Sequence, residues 1–322
     1  MSNVFPIQSS SVRTPPSLLA FAETWFEDAS VAWRSTTTGG VQSILARHLL
    51  PVLRGVPLES FTRAEVLAFR SRLAREPKAD GAMRSNARVN LILQTLGRIF
   101  AERERQLGIP NPCLDVRRLP TRRTAIQPFT LPELHRLAAA APEHLKEYVW
   151  IRGLIGMRSG EANGLRWDCV DLVAGTIEIR QARVCGSDAL PKNEYSERTI
   201  ALIPAAREAL VRQHARRGSP DGYVFLTPRG YPLDTRNFAR RDWVRVLASA
   251  GLKARAPEQL RHTAATLLLA AGEAPTYVAR ILGHADCRML LTTYARFMPG
   301  ALGRTDGLAL QRAIDAASTP VT

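Results

Sequence analysis

Lysine is scarce in a chain that is otherwise strongly basic. The 322 residues include 44 lysines and arginines against 29 acidic residues, a formal net charge of +15. This excess predicts a polyanionic partner such as nucleic acid, bound more weakly as the salt concentration rises. Basicity alone fits a ribosome-associated or RNA-binding protein equally well. The chain uses arginine wherever a generic positive charge suffices. A lysine in this chain is therefore more often than usual present for a specific chemical reason. The four are Lys78, Lys146, Lys192 and Lys253.

Paired cysteines and long apolar runs are also absent. The four cysteines are far apart and form no C-x-x-C motif, which argues against a structural zinc site and against a disulfide scaffold. No stretch approaches the roughly 20 apolar residues that cross a bilayer, and the first residues lack the apolar centre of a signal peptide. We therefore expect a cytoplasmic protein with no membrane partner.

Motifs for nucleotides and metals are missing as well. The sequence has no G-x-G-x-x-G motif, no P-loop and no internal repeat. It also lacks a cluster of carboxylates suited to two-metal chemistry on phosphates. The sequence therefore predicts no metal and no cofactor.

The first half of the chain has the pattern of a compact helical domain. Four segments, which begin near Ser17, Thr36, Phe61 and Ser85, place apolar residues at helical spacing and are joined by short loops. Thr62 and Glu65 form a capping-box signature at the start of the third. We assign residues 1–15 to an N-terminal tail and residues 16–116 to this helical domain.

The second half is predicted to be helical with one small sheet. Thr130 and Glu133 repeat the capping signature before a helical segment. Residues 176–184 and 197–203 alternate β-branched and polar side chains around a loop that carries Lys192, a pattern typical of an antiparallel hairpin. The predicted fold class is therefore mainly α with a small antiparallel β-sheet, in two domains. The second domain spans residues 129–300, and residues 301–322 form a C-terminal tail.

Residues 117–128 separate the two halves and have the composition of an extended linker. They contain two prolines and paired arginines, without apolar periodicity. The arginines would favour a path alongside a DNA backbone, although a solvated linker with charges for solubility is the alternative. They are Arg117, Arg118, Arg122 and Arg123.

Five dispersed side chains of the second half suit attack on a DNA phosphate: Arg158, Lys192, Arg261, His284 and Tyr294. Tyrosine is a poor nucleophile near neutral pH, because its pKa is about 10, so it needs cations around the phosphate and a group to take its proton. Two guanidinium groups can hold the non-bridging oxygens through paired hydrogen bonds. An ammonium can release a proton to a leaving oxygen, which a guanidinium with a pKa above about 12 cannot do.

The order and spacing of these residues resemble the catalytic domain of the tyrosine recombinases, the phage and genomic-island integrases. Arg158 matches the first arginine of the family, in a G-x-R-x-x-E context with Glu161. Lys192 matches the lysine of the β-hairpin. The resemblance extends to the first half, which is similar to the helical, SAM-like core-binding domain of the same enzymes.

The downstream half of the motif set completes the resemblance. Arg261, followed by His262, matches the second arginine of H-x-L-R-H, and His284 matches the L-G-H histidine. Tyr294, in TTYARFMP, matches the Y-x-R-[WF]-x-P ending of some island integrases and lies ten residues after His284. Glu258 departs from the pattern, because the family usually has histidine there. This carboxylate can replace that histidine as proton acceptor, or its charge beside a phosphodiester can weaken catalysis.

The resemblance implies a site-specific recombinase or integrase that cleaves and rejoins double-stranded DNA through a 3′-phosphotyrosyl intermediate on Tyr294. Arg158 and Arg261 would hold the phosphate, Lys192 would protonate the leaving 5′ oxygen, and His284 would add a hydrogen bond or handle the tyrosine proton. The family acts as a tetramer on DNA. In the first half, the arginines predicted to contact phosphates are Arg63, Arg70, Arg84, Arg88 and Arg98.

Two other functions fit the same residues. A type IB topoisomerase-like enzyme shares this chemistry but relaxes a single duplex, and a DNA-binding accessory protein would have lost catalysis through Glu258. Each candidate residue also has a purely structural explanation: Arg158 as an ion pair with Glu161, His284 as a helix cap, and Tyr294 as a packed aromatic.

Overall fold

Two compact units make up the chain, with the division before Ala125. The structure is a computed structural model that describes residues 17–78, 81–121, 125–189, 197–217, 222–298 and 314. Both units are mostly helical, and the strands within the described residues all lie in the second unit. The predicted fold class, mainly α with a small antiparallel sheet, is confirmed. The division falls inside the stretch 117–128 that was predicted to be the linker.

The first unit is built from helices around one apolar core. Its core includes Phe21, Leu49, Phe69 and Phe100, all of which are buried. The capping box predicted at Thr62 is confirmed, because its backbone N–H donates to Glu65 Oε2 and its hydroxyl accepts from the Glu65 N–H. In chain order the helices are α1 (Leu18–Ser30), α2 (Ser35–Ile44), a π-helical turn (Leu45–Leu49), α3 (Leu50–Leu53), α4 (Arg63–Arg75) and α5 (Asn86–Leu107).

The stretch that follows α5 is held against it by two asparagines. Asn86 Nδ2 donates to the Pro120 carbonyl, and Asn90 Nδ2 donates to the Leu119 carbonyl at 2.8 Å. Asn90 Oδ1 accepts from the Leu119 N–H in return, so the amide closes a two-way bond with one backbone residue. The beginning of the expected linker is therefore anchored on the first unit, at least as far as Pro120.

The helices of the second unit surround α7, which packs against α6, α9 and α12. The capping box predicted at Thr130 and Glu133 is present at the start of α6. In chain order the helices are α6 (Leu131–Ala140), α7 (Glu143–Ile155), α8 (Ser159–Gly164), a 3₁₀ turn (Trp167–Cys169), α9 (Pro204–Arg217), α10 (Thr235–Asn237), a π-helical turn (Phe238–Asp242), α11 (Trp243–Ser249), α12 (Gln259–Ala270), α13 (Pro275–Leu282), α14 (Arg288–Tyr294) and a 3₁₀ turn (Ala295–Phe297).

The strands form two antiparallel groups rather than one long hairpin. A three-stranded sheet has the order β1-β2-β5, from β1 (Val170–Asp171), β2 (Thr176–Ile179) and β5 (Arg198–Ala201), with Ile177 opposite Ile200. The predicted pairing of 176–179 with the strand after Lys192 is thus present. Residues 182–184 were expected in the same pairing, but they form β3 (Ala182–Val184), which pairs with β4 (Ser187–Ala189).

The separate β3–β4 hairpin follows from a tight turn that the sequence prediction overlooked. Cys185 and Gly186 connect its strands, and both have positive φ angles, +51° and +83°. A two-residue turn with positive φ at both positions matches the twist of antiparallel strands, and it favours glycine. The Cys-Gly pair therefore turns the chain back before it reaches the segment with Lys192.

A glycine allows three helices to meet at the end of α7. Gly156 ends this helix with φ at +71°, and a Cβ placed on it would lie 2.5 Å from Leu282 Cδ2 and 3.2 Å from Ala264 Cβ. Only a residue without a side chain accepts both the left-handed backbone and this close approach of α12 and α13. Arg158 follows two residues later, so this junction sets where the candidate site begins.

None of the helices in the described part of the chain is long and apolar enough to span a lipid bilayer.

We expect Gly156→Ala to destabilise the second unit by more than the backbone strain alone. Gly251 is the matched control, since its φ is +65° but nothing lies within 4 Å of a Cβ there. Gly251→Ala should cost about 1–2 kcal/mol for the left-handed conformation, and Gly156→Ala about 1–3 kcal/mol more for overpacking. Urea unfolding of the two variants measures the difference. Equal losses would contradict the close packing at Gly156.

Candidate active site

Arg158 stands at the start of α8 and is tied to a carboxylate. Its Nη1 donates to Glu161 Oε1 at 2.7 Å, and its backbone N–H donates to Glu161 Oε2 at 2.9 Å. Its Nη2 donates to the Gly283 carbonyl at the end of α13. The side chain keeps 32% of its surface exposed while Glu161 keeps 3%. The guanidinium is therefore fixed by a buried anion, and one side of it remains open to the surroundings.

Arg198, on β5, is part of the same cluster and was missed by the sequence prediction. Its two Nη atoms bond to both oxygens of Glu161, at 3.2 and 2.9 Å, and its Nε donates to the Ile281 carbonyl. The side chain is 5% exposed. Strand periodicity held the missing signal, since Arg198 lies two positions before the buried Ile200 and so faces the interior.

Glu161 remains ionised because two guanidinium groups offset its burial. Burial alone would raise the pKa of this carboxyl, but hydrogen bonds and charge from Arg198, with the charge of Arg158, lower it to about 2. Its carboxylate joins α8, β5 and, through Arg198, α13. The cluster retains more positive than negative charge, because Arg158, Arg198 and the nearby Arg261 face one acid.

Arg261, on α12, is the deepest of the three arginines. Its Nη1 donates to the Gly156 carbonyl at 2.8 Å, and its Nη2 donates to the Leu282 carbonyl at 2.6 Å. Burial and the charge of Arg158 lower the pKa of Arg261 to about 10, so the guanidinium stays positive at neutral pH. Arg261 and Arg158 thus bond to the same turn, at Leu282 and Gly283.

His284 is a neutral imidazole whose tautomer is set by Arg261. Its Nε2 lies 3.0 Å from Arg261 Nη2, and a guanidinium can only donate, so Nε2 accepts and the proton lies on Nδ1. Burial and the charges of Arg261 and Arg158 lower the pKa of His284 to about 4. Its buried Nδ1 has no hydrogen-bond partner among the described residues. The site therefore holds an N–H donor that is not used within this part of the chain.

Tyr294 is buried at the end of α14 and bonds to a histidine of α12. Its hydroxyl lies 2.5 Å from His262 Nδ1, and its ring packs with Ala265 and Leu282 in a small apolar cluster. Burial raises the pKa of Tyr294 to about 12, and the charge of Arg261 opposes that rise. Burial likewise lowers the pKa of His262. Both groups are thus neutral at pH 7, so the phenol donates and Nδ1 accepts.

Glu258 lies at the start of α12, one helical turn before His262. Its side chain is exposed and forms no hydrogen bond or ion pair with the part of the chain that the structure describes. Its charge acts on both His262 and Tyr294, whose pKa values it raises. The structure therefore brings Glu258 near the tyrosine as a charge, whereas the contact with the hydroxyl belongs to His262.

Several predicted residues lie outside the described part of the chain. Lys192, the predicted general acid, is one of them, together with Arg122 and Arg123 of the expected linker. Arg117 and Arg118 are described and exposed, and the Arg117 carbonyl accepts a hydrogen bond from Arg70 Nη1 at 2.7 Å.

The arginines predicted to contact DNA in the first unit differ in what they touch. Arg63 is exposed at the start of α4. Arg84 donates to the carbonyls of Glu76 and Leu73, and 16% of its side chain is exposed. Arg98 lies over the ring of Trp33 at 4.6 Å. Internal contacts therefore account for Arg84 and Arg98 without a DNA phosphate.

Arg88 belongs to a basic cluster that the sequence prediction identified only in part. Burial, followed by the charges of Arg84, Arg88 and Arg47, lowers the pKa of His48. Four side chains therefore lie close together: Arg47 and His48 in the π-helical turn, Arg84 before α5, and Arg88 in α5. We call them the His48 cluster. Apolar periodicity could not reveal it, because the π-helical turn changes which residues share a face.

Metal ligands do not gather in the described residues. No three His, Cys, Asp or Glu side chains there lie close enough together to hold a metal ion.

The low pKa of Glu161 predicts a specific loss of stability in acid. A carboxyl whose pKa is about 2 when folded and about 4.3 when unfolded stabilises the folded state above pH 4.3, and this contribution is lost as pH falls towards 2. The shift corresponds to about 3 kcal/mol. Glu161→Gln should be destabilised at pH 7, because the buried guanidinium of Arg198 and the partly exposed one of Arg158 lose their anion, and its deficit relative to the original protein should shrink between pH 4.5 and 2.5.

Urea unfolding across this pH range measures that deficit. The control is Glu273→Gln, which removes an exposed carboxylate of the same unit and should leave stability nearly unchanged at every pH. A deficit of Glu161→Gln that stays constant down to pH 2.5 would contradict an ionised, doubly paired Glu161.

Comparisons with known proteins show the family to which the chain belongs. The sequence profile of the Phage integrase family matches residues 129–299. The chain is 28% identical over 248 residues to IntQ of Escherichia coli (strain K12), whose name marks it as defective, covering 67% of this chain and 61% of that protein. It is 28% identical over 203 residues to a XerC-like tyrosine recombinase of Caldanaerobacter subterraneus subsp. tengcongensis, covering 55% of this chain and 52% of that protein. The chain thus spans about half to three fifths of these two relatives.

Solved structures show the same fold at lower identity. The integrase of the Tn1549 transposon, solved in complex with a circular intermediate DNA, superposes with a TM-score of 0.73 at 17% identity, covering 94% of this chain and 99% of that chain. A lambda integrase dimer bound to a core site superposes with a TM-score of 0.67 at 20% identity, covering 89% and 78%. Because the family profile covers more than half of the chain, the protein belongs to the Phage integrase family, the tyrosine recombinases.

Proposed function

We propose that this protein is a site-specific DNA recombinase that integrates or excises a mobile element through a 3′-phosphotyrosyl intermediate. The observation that carries the proposal is the convergence of Arg158, Arg261 and His284, with Tyr294 close enough for the charge of Arg261 to oppose the burial that raises the pKa of its phenol. These residues come from four separate helices or turns. Arg158 and Arg261 bond to the turn after α13, His284 bonds to Arg261, and Tyr294 bonds to His262 of α12. Family membership and the relatives named as integrases support the same function.

The charges of the site suit a phosphodiester under attack. In the transition state the phosphate becomes a more negative, five-coordinate species, and preorganised guanidinium groups stabilise it best when water is excluded. Arg158 offers its open side, and Arg261 supplies a buried positive charge. The Nδ1–H of His284 is a donor without a partner in the described residues, which suits a hydrogen bond to a non-bridging oxygen.

Each cleavage step balances in protons and bonds. Tyr294 Oη forms a bond to phosphorus while the bond from phosphorus to the 5′ oxygen breaks. The tyrosine gives up its proton to a neighbouring base, and the leaving 5′ oxygen takes one from a general acid, for which we propose Lys192. A 5′ hydroxyl from another duplex then attacks the phosphotyrosine and reverses the step. The covalent bond conserves the energy of the phosphodiester, so no nucleotide is consumed.

The proposed partner is double-stranded DNA, gripped by both units. Residues 16–116 would form the core-binding domain and residues 129–300 the catalytic domain. In the first unit we propose Arg63, Arg88 and the exposed Arg117 and Arg118 as phosphate contacts, with the His48 cluster as their centre. A lambda integrase structure shows a tetramer on a Holliday junction, and we propose that this chain also assembles as a tetramer on DNA.

A covalent adduct tests the enzyme directly. We expect the protein, incubated with nicked suicide duplexes from DNA flanking its own gene, to give a protein-linked DNA band on a denaturing gel. Tyr294→Phe should abolish this band while it still shifts the same DNA on a native gel. Arg261→Lys should reduce the band by about 100-fold or more, because it replaces a planar donor at a preorganised site.

The competing functions give different results in the same assay. A native-gel shift without any covalent band would favour the DNA-binding accessory protein, a possibility raised by the exposed Glu258 where the family usually has histidine. A covalent band with relaxation of supercoiled plasmid but no strand exchange between two duplexes would favour the topoisomerase-like enzyme.

The His48 cluster predicts a salt-dependent contribution to DNA binding. Arg88→Ala should weaken binding to all sequences by a similar factor and reduce the salt slope of log K by about 1, because one phosphate contact is lost. Arg105→Ala is the matched control: it removes the same charge from α5, 17 positions further along the helix, or roughly 25 Å away. Filter binding at several salt concentrations measures both. An unchanged slope for Arg88→Ala would exclude this contact.

A further inference from the structure

We propose that His262, rather than Glu258, accepts the proton of Tyr294 when the tyrosine attacks DNA. This inference rests on the proposed function and gives a direct chemical role to a residue that the sequence prediction placed beside the second arginine as a support for the catalytic residues. The observation behind it is the contact of 2.5 Å between His262 Nδ1 and the Tyr294 hydroxyl. Among the described residues, Nδ1 of His262 is the group bonded to that hydroxyl.

The protonation states of the pair support a transfer in this direction. Burial lowers the pKa of His262, so its imidazole is neutral near pH 7 and has a free lone pair on one nitrogen. Tyr294 has a pKa of about 12 and stays protonated. The phenol therefore donates to Nδ1, and the second proton of the neutral ring lies on Nε2. The hydroxyl proton of Tyr294, which has to leave during the attack, is thus already directed at a base, His262 Nδ1.

His284 cannot take this role in the geometry of the site. Its Nε2 accepts a hydrogen bond from Arg261, and its other nitrogen already carries a proton. The two histidines therefore have complementary tasks. His284 presents an N–H to an anion, and His262 presents a lone pair to an O–H. Sequence alone could not separate these tasks, because each depends on a partner from a distant segment. The partner of His284 is Arg261, and the partner of His262 is Tyr294.

Glu258 then acts on the proton transfer through His262. It lies one helical turn before His262 on α12, at the i, i+4 spacing that places two side chains on one face of a helix. Its negative charge raises the pKa of His262, whereas the charge of Arg261 lowers it. The carboxylate thus stabilises the imidazolium that forms after transfer. Glu258, Arg261 and Tyr294 are the titratable and charged groups that act on this ring from α12 and α14.

The step balances: one bond to phosphorus forms as another breaks, and each proton released has an acceptor. The Tyr294 proton moves to His262 Nδ1 as the bond from Oη to phosphorus forms and the bond to the 5′ oxygen breaks. The 5′ oxygen takes its proton from the general acid of the proposed function. In the reverse step the imidazolium returns its proton to Tyr294 Oη, which leaves phosphorus as a neutral phenol.

Four variants test the proposal in the suicide-duplex assay, with single-turnover rates of adduct formation as the readout. His262→Ala should slow the rate by about 10²–10⁴-fold, the usual contribution of general base catalysis. His262→Asn should be slowed as much, because its amide oxygen can accept a hydrogen bond near the position of Nδ1 but cannot take up a proton. Glu258→Gln should cost only several-fold. His135→Gln, which removes a histidine stacked on Trp150, is the control and should keep the original rate.

Two further readouts separate a base from a structural residue. Because burial lowers the pKa of His262 below the ordinary histidine value, the rate of the original protein should fall only in more acidic solution, where the ring becomes protonated, and His262→Ala should lose this dependence. Added imidazole should partly restore the rate of His262→Ala but not that of Tyr294→Phe. Thermal melting of each variant confirms that it is folded.

Specific outcomes would overturn the proposal. A rate for His262→Asn near that of the original protein would show that the hydrogen bond alone matters. A large loss in Glu258→Gln combined with an active His262→Ala would make the carboxylate the base. Imidazole ¹⁵N shifts of the DNA-free protein give an independent answer, since a proton on His262 Nδ1 would exclude acceptance there. If the original protein forms no adduct with any duplex, the proposed function fails; if it forms one that is indifferent to His262, only this inference fails.

Discussion

A single buried carboxylate organises the positive charge of this site. Glu161 is 3% exposed, and it accepts hydrogen bonds from the guanidiniums of both Arg158 and Arg198. Removing a carboxylate from water is costly unless it is paired and fully hydrogen-bonded, and here the pairing is strong enough to hold the pKa of Glu161 at about 2. Two arginines from different elements are therefore fixed by one anion. In the proposed function, a phosphate would meet a positive field that is already oriented, and these two arginines would not have to be immobilised during the reaction.

The turn after α13 extends this organisation to the rest of the site. Carbonyl groups of Ile281, Leu282 and Gly283 accept from Arg198, Arg261 and Arg158, one from each arginine. Three consecutive carbonyls at a helix end have no partners within the helix, so they are natural acceptors for cations. His284 comes directly after them. The helix end thus keeps like-charged groups close together that would otherwise repel one another, and it brings the imidazole to the same place.

Periodicity and capping signals predicted most of the fold. The helices of the first unit and both capping boxes followed from residues that are close in the sequence, because such signals depend on local backbone geometry. The β3–β4 hairpin was missed, although Cys185 and Gly186 form a two-residue turn. The prediction gave weight to strand alternation over residues 176–184 and did not consider a turn within reach of its end.

The candidate site was predictable wherever a residue type has a distinctive chemistry, and unpredictable wherever its partner comes from a distant segment. Arg158, Arg261, His284 and Tyr294 were chosen as candidates from order and spacing. The structure brings the first three to the turn after α13 and places Tyr294 within reach of the charge of Arg261. Arg198 was missed because its role depends on Glu161, 37 positions earlier in the chain. The role of His262 depends in the same way on Tyr294, 32 positions later.

In the proposed mechanism, permanent charge and proton transfer are assigned to separate groups, and this separation is compatible with glutamate at position 258. The guanidinium groups of Arg158, Arg198 and Arg261 supply a constant positive field, whereas burial lowers the pKa of both histidines and keeps them neutral. A carboxylate in contact with the phosphate would oppose that field. Glu258 instead lies exposed at the start of α12, one turn from His262, where its charge raises the pKa values of the imidazole and the phenol and also that of Arg261. A negative charge would oppose a phosphate at close range, but at this distance it favours an imidazolium on His262, so glutamate at position 258 is consistent with the proposed mechanism.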